Sequence, residues 1–162
     1  MFLEIKYNMK VNNYNEQLKK SMSIQDKLFW QSFFENKIDW QVTLQQEYAG
    51  IDGYINNTKV QFKLRETYYN DILIEFAHTN GEKGWINKQD QECEYIFFGW
   101  RNYDFIYCFK WLLLQEFWQK NQVNLINMYG IKNAINKNKI TLNTPVPFKE
   151  LNKIANIKNK II

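Results

Sequence analysis

Residues 50–65, Gly-Ile-Asp-Gly-Tyr-Ile-Asn-Asn-Thr-Lys-Val-Gln-Phe-Lys-Leu-Arg, leave the chain few choices of local structure. Two β-rich runs, 51–56 and 59–65, flank Asn56, Asn57 and Thr58, which are turn formers that tolerate positive φ. An antiparallel hairpin follows. On its second strand Val60, Phe62 and Leu64 form an apolar row that must be buried, so Lys59, Gln61, Lys63 and Arg65 point together to the other side. A loop of Asn56-Asn57 sets Asp52 opposite Gln61, and a loop of Asn57-Thr58 sets it opposite Lys63. In both registers the three side chains share one face. A three-residue loop instead turns Asp52 toward Phe62 and disperses them, because a slip of one residue sends a strand's side chains to the opposite face.

The chemistry of this trio is specific. Mg²⁺ (or Mn²⁺) takes hard oxygen ligands, one or two carboxylates with water and phosphate oxygens completing the shell, and Asp52 with the amide oxygen of Gln61 begins such a set. The Lys63 ammonium, held nearby, would orient or help deprotonate an attacking water and offset charge on a phosphorane-like transition state. Any amphipathic edge hairpin also alternates polar residues, so the spacing alone does not separate a site from a solvated strand.

Further along lie Asp71-Ile-Leu-Ile-Glu-Phe, Gly84-Trp-Ile-Asn-Lys88, Glu94-Tyr-Ile-Phe-Phe, Asp104-Phe-Ile-Tyr-Cys-Phe and Thr144-Pro-Val-Pro-Phe-Lys-Glu-Leu. With the hairpin, this succession over 47–151 resembles small phage and bacterial members of the PD-(D/E)xK nuclease superfamily. In those an acid on one strand is followed by acid-x-Lys on the next. Asp52 matches the first acid, Gln61 the second acidic position and Lys63 the lysine. The resemblance implies an α/β fold of restriction-endonuclease-like architecture, a mixed central sheet flanked by helices. It also implies an endonuclease-like, Mg²⁺-dependent hydrolysis of DNA phosphodiesters, and by analogy a homodimer. The chain departs from the pattern at Gln61, which is neutral and a weaker metal ligand than Asp or Glu. A nuclease-fold module with impaired catalysis that binds nucleic acid or a protein partner is therefore the competing expectation. A protein-interaction domain using exposed aromatics is a third.

Glu75 is the candidate to supply the missing negative charge. On the strand expected over 71–77 it has apolar neighbours on both sides, and a buried carboxylate needs a cation, a metal or a donor, for which Lys63 or Mg²⁺ would serve. A structural ion pair is the alternative. Glu47 and Glu35 are weaker candidates, better read as surface carboxylates. Arg65, Trp85 and Lys88 are the expected nucleic-acid contacts, the cations on phosphate and Trp85 on a base. Packing of Trp85 on the sheet is the competing reading. His78 reads as structural.

The chain of 162 residues has one domain's length, and 45% of it is apolar. That suffices for a real core, so 1–162 is read as a single domain. Aromatics reach 17%, with six Trp, ten Tyr and twelve Phe, most of which must be core. The net charge is +4. Its segment 131–162 carries Lys132, Lys137, Lys139, Lys149, Lys153, Lys158 and Lys160 against Glu150, which suits salt-sensitive contact with DNA as well as a solvated surface. The longest apolar stretch, 105–118, is interrupted by Lys110, Gln115 and Glu116, so no membrane span is expected. The start, Met-Phe-Leu-Glu-Ile-Lys, lacks the pattern of a secretory signal, and the expected location is the cytoplasm. Cys93 and Cys108 fall in apolar strands and are read as reduced core residues, and with one histidine, His78, they make no zinc site.

Helices are expected over 13–22, 24–35 (capped by Ser23, with Ile24, Leu28, Phe29 and Phe33 as its apolar side), 111–122 and 148–157. Strands are expected over 43–48, 51–56, 59–65, 71–77, 85–86, 94–99, 105–110 and 139–142, with Pro145-Val-Pro147 an extended turn.

Overall fold

The computed structural model describes residues 22–136 and 139–161. Lys137 and all but Met22 of the helix expected over 13–22 lie outside them. The fold is mixed α/β. Six strands form the main sheet in the order β1 (Ile38–Asp39), β2 (Gly53–Ile55), β3 (Thr58–Arg65), β5 (Tyr95–Trp100), β6 (Phe105–Lys110) and β9 (Ala155–Asn159). β3 and β5 run parallel and the other neighbours antiparallel. β4 (Asp71–His78) leaves this sheet to pair with β8 (Lys139–Pro147), which also pairs with β7 (Lys132–Asn136) in a three-stranded antiparallel sheet.

The two faces of the main sheet are buried differently. Val60, Phe62, Phe97 and Ile106 pack with Trp30 and Phe33 of the α1 region (α1, Ile24–Gln31). Ile96, Phe98, Trp100, Tyr107 and Phe109 join Ile72 and Ile74 of β4 and Trp111, Leu114 and Trp118 of α3 (Trp111–Tyr129) in a larger core. The row Gln61, Lys63 and Arg65 is paired in register with Ile96, Phe98 and Trp100, so it looks toward this second core.

Several local expectations are corrected. The strand expected over 43–48 is the helix α2 (Leu44–Tyr48), because Thr43 and Gln46 close a reciprocal capping box that satisfies two otherwise orphaned amides. The strand expected over 85–86 is a 3₁₀ turn, Trp85–Asn87. Ser23 does cap α1, accepting the Asp26 amide at 3.1 Å, but the helix stops at Gln31 and Glu35 and Asn36 then take left-handed φ of 52° and 59°. Its buried side is Trp30 with Phe33 beyond, while Ile24 and Leu28 are exposed. α3 runs past 122 to Tyr129, where Gly130 at φ 76° ends it. The helix expected over 148–157 is a single turn, α4 (Phe148–Leu151), followed by β9. Pro145 and Pro147 are inside β8, beyond the stretch paired with β7, where a missing amide costs no ladder bond on that open side. Cys93 and Cys108 are free thiols, the first buried and the second half-buried. Among the described residues no helix is long and apolar enough to cross a membrane.

Candidate active site

The hairpin turns on Asn56-Asn57, both in the left-handed region with φ of 49° and 65°. Two successive positive φ values make the two-residue turn whose twist matches that of the strands it joins. Register follows directly, with Ile55 paired to Thr58, Tyr54 to Lys59 and Gly53 to Val60. Of the registers compatible with the sequence, this is the one that sets Asp52 across from Gln61.

Asp52 stands just past the last paired residue of β2. Its N–H donates to the Val60 carbonyl at 2.8 Å, and its Oδ2 accepts the Phe62 amide at 2.7 Å. The two bonds straddle Gln61. The side chain thus does what the next carbonyl of a longer β2 would have done, satisfying an edge amide of β3 and leaving Oδ1 for another partner. Burial pushes the Asp52 carboxyl above its usual value, and the Phe62 amide and the Lys63 charge oppose that rise only in part. A desolvated carboxylate of this kind gains from a cation.

Gln61 is buried, and its Oε1 has no hydrogen-bond partner. An orphaned buried acceptor costs stability unless a water or a ligand reaches it. Lys63 makes no ion pair among the described residues. Its Nζ lies 5.5 Å from the centre of the Trp85 ring and is close enough to Asp52 to lower that carboxyl.

The loop after the 3₁₀ turn braces this arrangement. The Glu92 amide donates to the Ala49 carbonyl and the Glu94 amide to the Lys59 carbonyl, each at 2.8 Å, and Glu94 Oε2 accepts the Lys59 amide at 2.9 Å. Cys93 is thereby brought near Asp52: burial first, then the Asp52 charge, push its thiol up to about 12. A thiol held so high stays protonated and is no nucleophile at neutral pH. Gly50, at φ 77°, admits the Gln91 side chain against the start of the hairpin, where a Cβ would sit 1.7 Å from Gln91 Oε1. Glu47 of α2 also feels Asp52: burial first and that charge second raise its carboxyl, with Lys27 opposing. Glu47, half-buried rather than a fully solvated carboxylate, is therefore part of the site's electrostatics.

For a divalent cation the donors at hand are Asp52 Oδ1 and the unpartnered Gln61 Oε1, hard oxygens of the right kind. Among the described residues no three His, Cys, Asp or Glu side chains come together as a metal set. The residues fit a Mg²⁺ or Mn²⁺ that keeps most of its water.

The other sequence candidates are distributed around this centre. Glu75 is on β4, and with Lys63 it lines a cavity of about 360 Å³, but its partner is His78 Nε2 at 3.3 Å rather than Lys63. Arg65 is committed to Asp71 at 2.8 Å and packs over Tyr69, so its guanidinium is not free for phosphate as expected. Trp85 is buried, packed with Phe98 and Trp111. This corrects its expected role on an incoming base and agrees with packing on the sheet. Lys88 is exposed, near Glu75 and His78, and its carbonyl accepts from Gln115. Glu35 is ion-paired with Lys37 at 2.7 Å. In the basic segment, Lys139 pairs with Glu82, Lys132 lies over Tyr69 and Lys158 over Phe34.

No family model, no curated protein and no solved structure matches this chain.

Proposed function

We propose that this chain is a restriction-endonuclease-like nuclease that hydrolyses DNA phosphodiesters with Mg²⁺ or Mn²⁺, Asp52 and Gln61 holding the metal and Lys63 serving the attacking water. The observation that carries this reading is the buried, unpartnered Oε1 of Gln61 beside a desolvated Asp52 carboxylate. The Gln61 Oε1 and the Asp52 carboxylate oxygens are both acceptors and cannot bond each other; only the Gln61 Nε2 could donate to Asp52. A cation between them relieves both.

When bound, such a metal would lower the pKa of its water and neutralise charge on a phosphate oxygen. The chain's own contribution is positional. Asp52 is fixed by two hydrogen bonds to β3, and Gln61 is fixed by the β3–β5 ladder. Lys63, one alternation further along the same face, presents a cation with no ion pair among the described residues, suited to holding a water or a phosphoryl oxygen. Glu75, across the cavity from Lys63, adds negative potential without belonging to the donor pair.

A second reading has its own observation. With glutamine at the second acidic position and no three-acid cluster among the described residues, the chain also fits a nuclease-fold module that binds nucleic acid or a protein and cuts poorly. Incubation with supercoiled, linear, branched and single-stranded DNA in Mg²⁺ or Mn²⁺, beside Asp52→Ala and Lys63→Ala, separates the two. The nuclease reading expects cleavage by the wild type that both variants lose. Binding without cleavage under every metal condition supports the second reading.

A further inference from the structure

Helix α3 carries large apolar side chains on its solvent side as well as on its core side. Trp111, Leu114, Trp118 and Leu125 are buried in the larger core. On the other side Leu112 is 68% exposed, Leu113 42% and Val123 68%. Of its 19 residues only Glu116 and Lys120 are charged, and both are exposed. A helix with water along one side ordinarily fills that side with charged residues, whereas apolar side chains with few charges among them mark the centre of a protein interface.

The pattern on this side is self-complementary. At roughly 100° per residue, Leu112, Val123, Glu116 and Lys120 fall within a stripe about 80° wide, with Leu113 at its border. Glu116 and Lys120 are equally spaced about the level of Trp118. When two copies of the helix lie antiparallel with these stripes facing and a two-fold axis at that level, each Glu116 comes level with Lys120 of the second copy. Each Val123 comes level with Leu112 and Leu113 of the second copy, beside a groove of about 610 Å³ that those two leucines line with Tyr95, Lys110 and Glu116. Opposite charges then meet twice and aliphatic side chains meet at both ends. Although they are four residues apart on one helix, Glu116 and Lys120 do not pair with each other, and neither has an ion pair among the described residues.

We propose that two copies of this chain associate through the exposed side of α3, antiparallel about a two-fold axis level with Trp118. Glu116 of each pairs with Lys120 of the other, and Leu112, Leu113 and Val123 pack outside those pairs. A contact in which the same patch is used twice closes on itself, giving a dimer rather than a filament. Two helices touching over about three turns make a small interface, so the dimer forms reversibly with concentration.

Sedimentation equilibrium of the full chain over a concentration series at low salt tests this, with circular dichroism melting to confirm that each variant folds. The mass is expected to rise with concentration from 19.8 kDa toward twice that value. Glu116→Lys and Lys120→Glu, which set like charges against each other across the axis, should each weaken association at least about tenfold. An equimolar mixture of the two variants regains both opposite-charge pairs and should associate again. A charge acting only within its own helix would give no such rescue. The proposal is overturned by a monomer at every concentration, by a dimer that both single variants leave undiminished, or by a mixture that associates no more tightly than either variant alone.

Discussion

The Asp52 carboxylate closes the end of the β2–β3 ladder by accepting the Phe62 amide at 2.7 Å, so that a side chain takes over where backbone pairing stops. Because burial raises this carboxyl, the folded chain holds its proton more tightly than the unfolded chain, whose Asp titrates near about 3.9. The resulting contribution to stability is fully present below that value and is lost as pH rises through the higher folded value. Asp52→Asn keeps an acceptor for Phe62 and removes the charge. In EDTA at pH 7 this variant is expected to melt at least about 2 °C above the wild type, a difference that disappears in acid, as followed by circular dichroism.

The hairpin register depends on the Asn56-Asn57 turn with φ of 49° and 65°. A β-branched residue is strongly disfavoured there. Asn56→Val should lower stability by about 1–2 kcal/mol in urea unfolding, whereas Asn57→Gly should match or exceed the wild type.

Trp85 is 7% exposed and packs against Phe98 and Trp111. Trp85→Ala is expected to cost about 3–5 kcal/mol, the scale of a core truncation and far above the half kcal/mol of a surface change. Urea midpoints measured with and without DNA decide whether the loss lies in folding.

Gly84 allows the 3₁₀ turn to lie against β4. A Cβ there would come within 2.4 Å of the Glu75 carbonyl oxygen and 2.5 Å of the Phe76 carbonyl carbon, both backbone atoms that cannot swing away. Gly84→Ala should therefore destabilise by about 1–3 kcal/mol and disturb Glu75 with it, read as a lower urea midpoint.

The parts of this fold that were legible in the sequence are those governed by period and turn chemistry. The alternation Val60, Phe62, Leu64 and the Asn-Asn dipeptide identify a hairpin, and among its registers only the actual loop length could choose. Over 43–48, where the sequence predicts a strand, the capping box of Thr43-x-x-Gln46 makes helix α2 instead, a signal itself present in the sequence. The departure of β4 to pair with β8 has no local signature, since strand partners are chosen by tertiary packing. For the same reason Glu75 could be recognised as a carboxylate in an apolar strand, but its partner His78 could not be distinguished from Lys63. Trp85 shows the limit most plainly. A Gly-Trp segment is chemically suited both to a base and to a core, and only the burial around it decides.

Asp52 and Gln61 together are proposed to hold a divalent cation. Isothermal titration of the folded protein with Mn²⁺, for the wild type, Asp52→Asn and Gln61→Leu, reads that binding itself. One site is predicted in the wild type, weakened by at least about tenfold in each variant and competed by Mg²⁺. Mn²⁺ binding that is absent from the wild type, or unchanged in both variants, would contradict it.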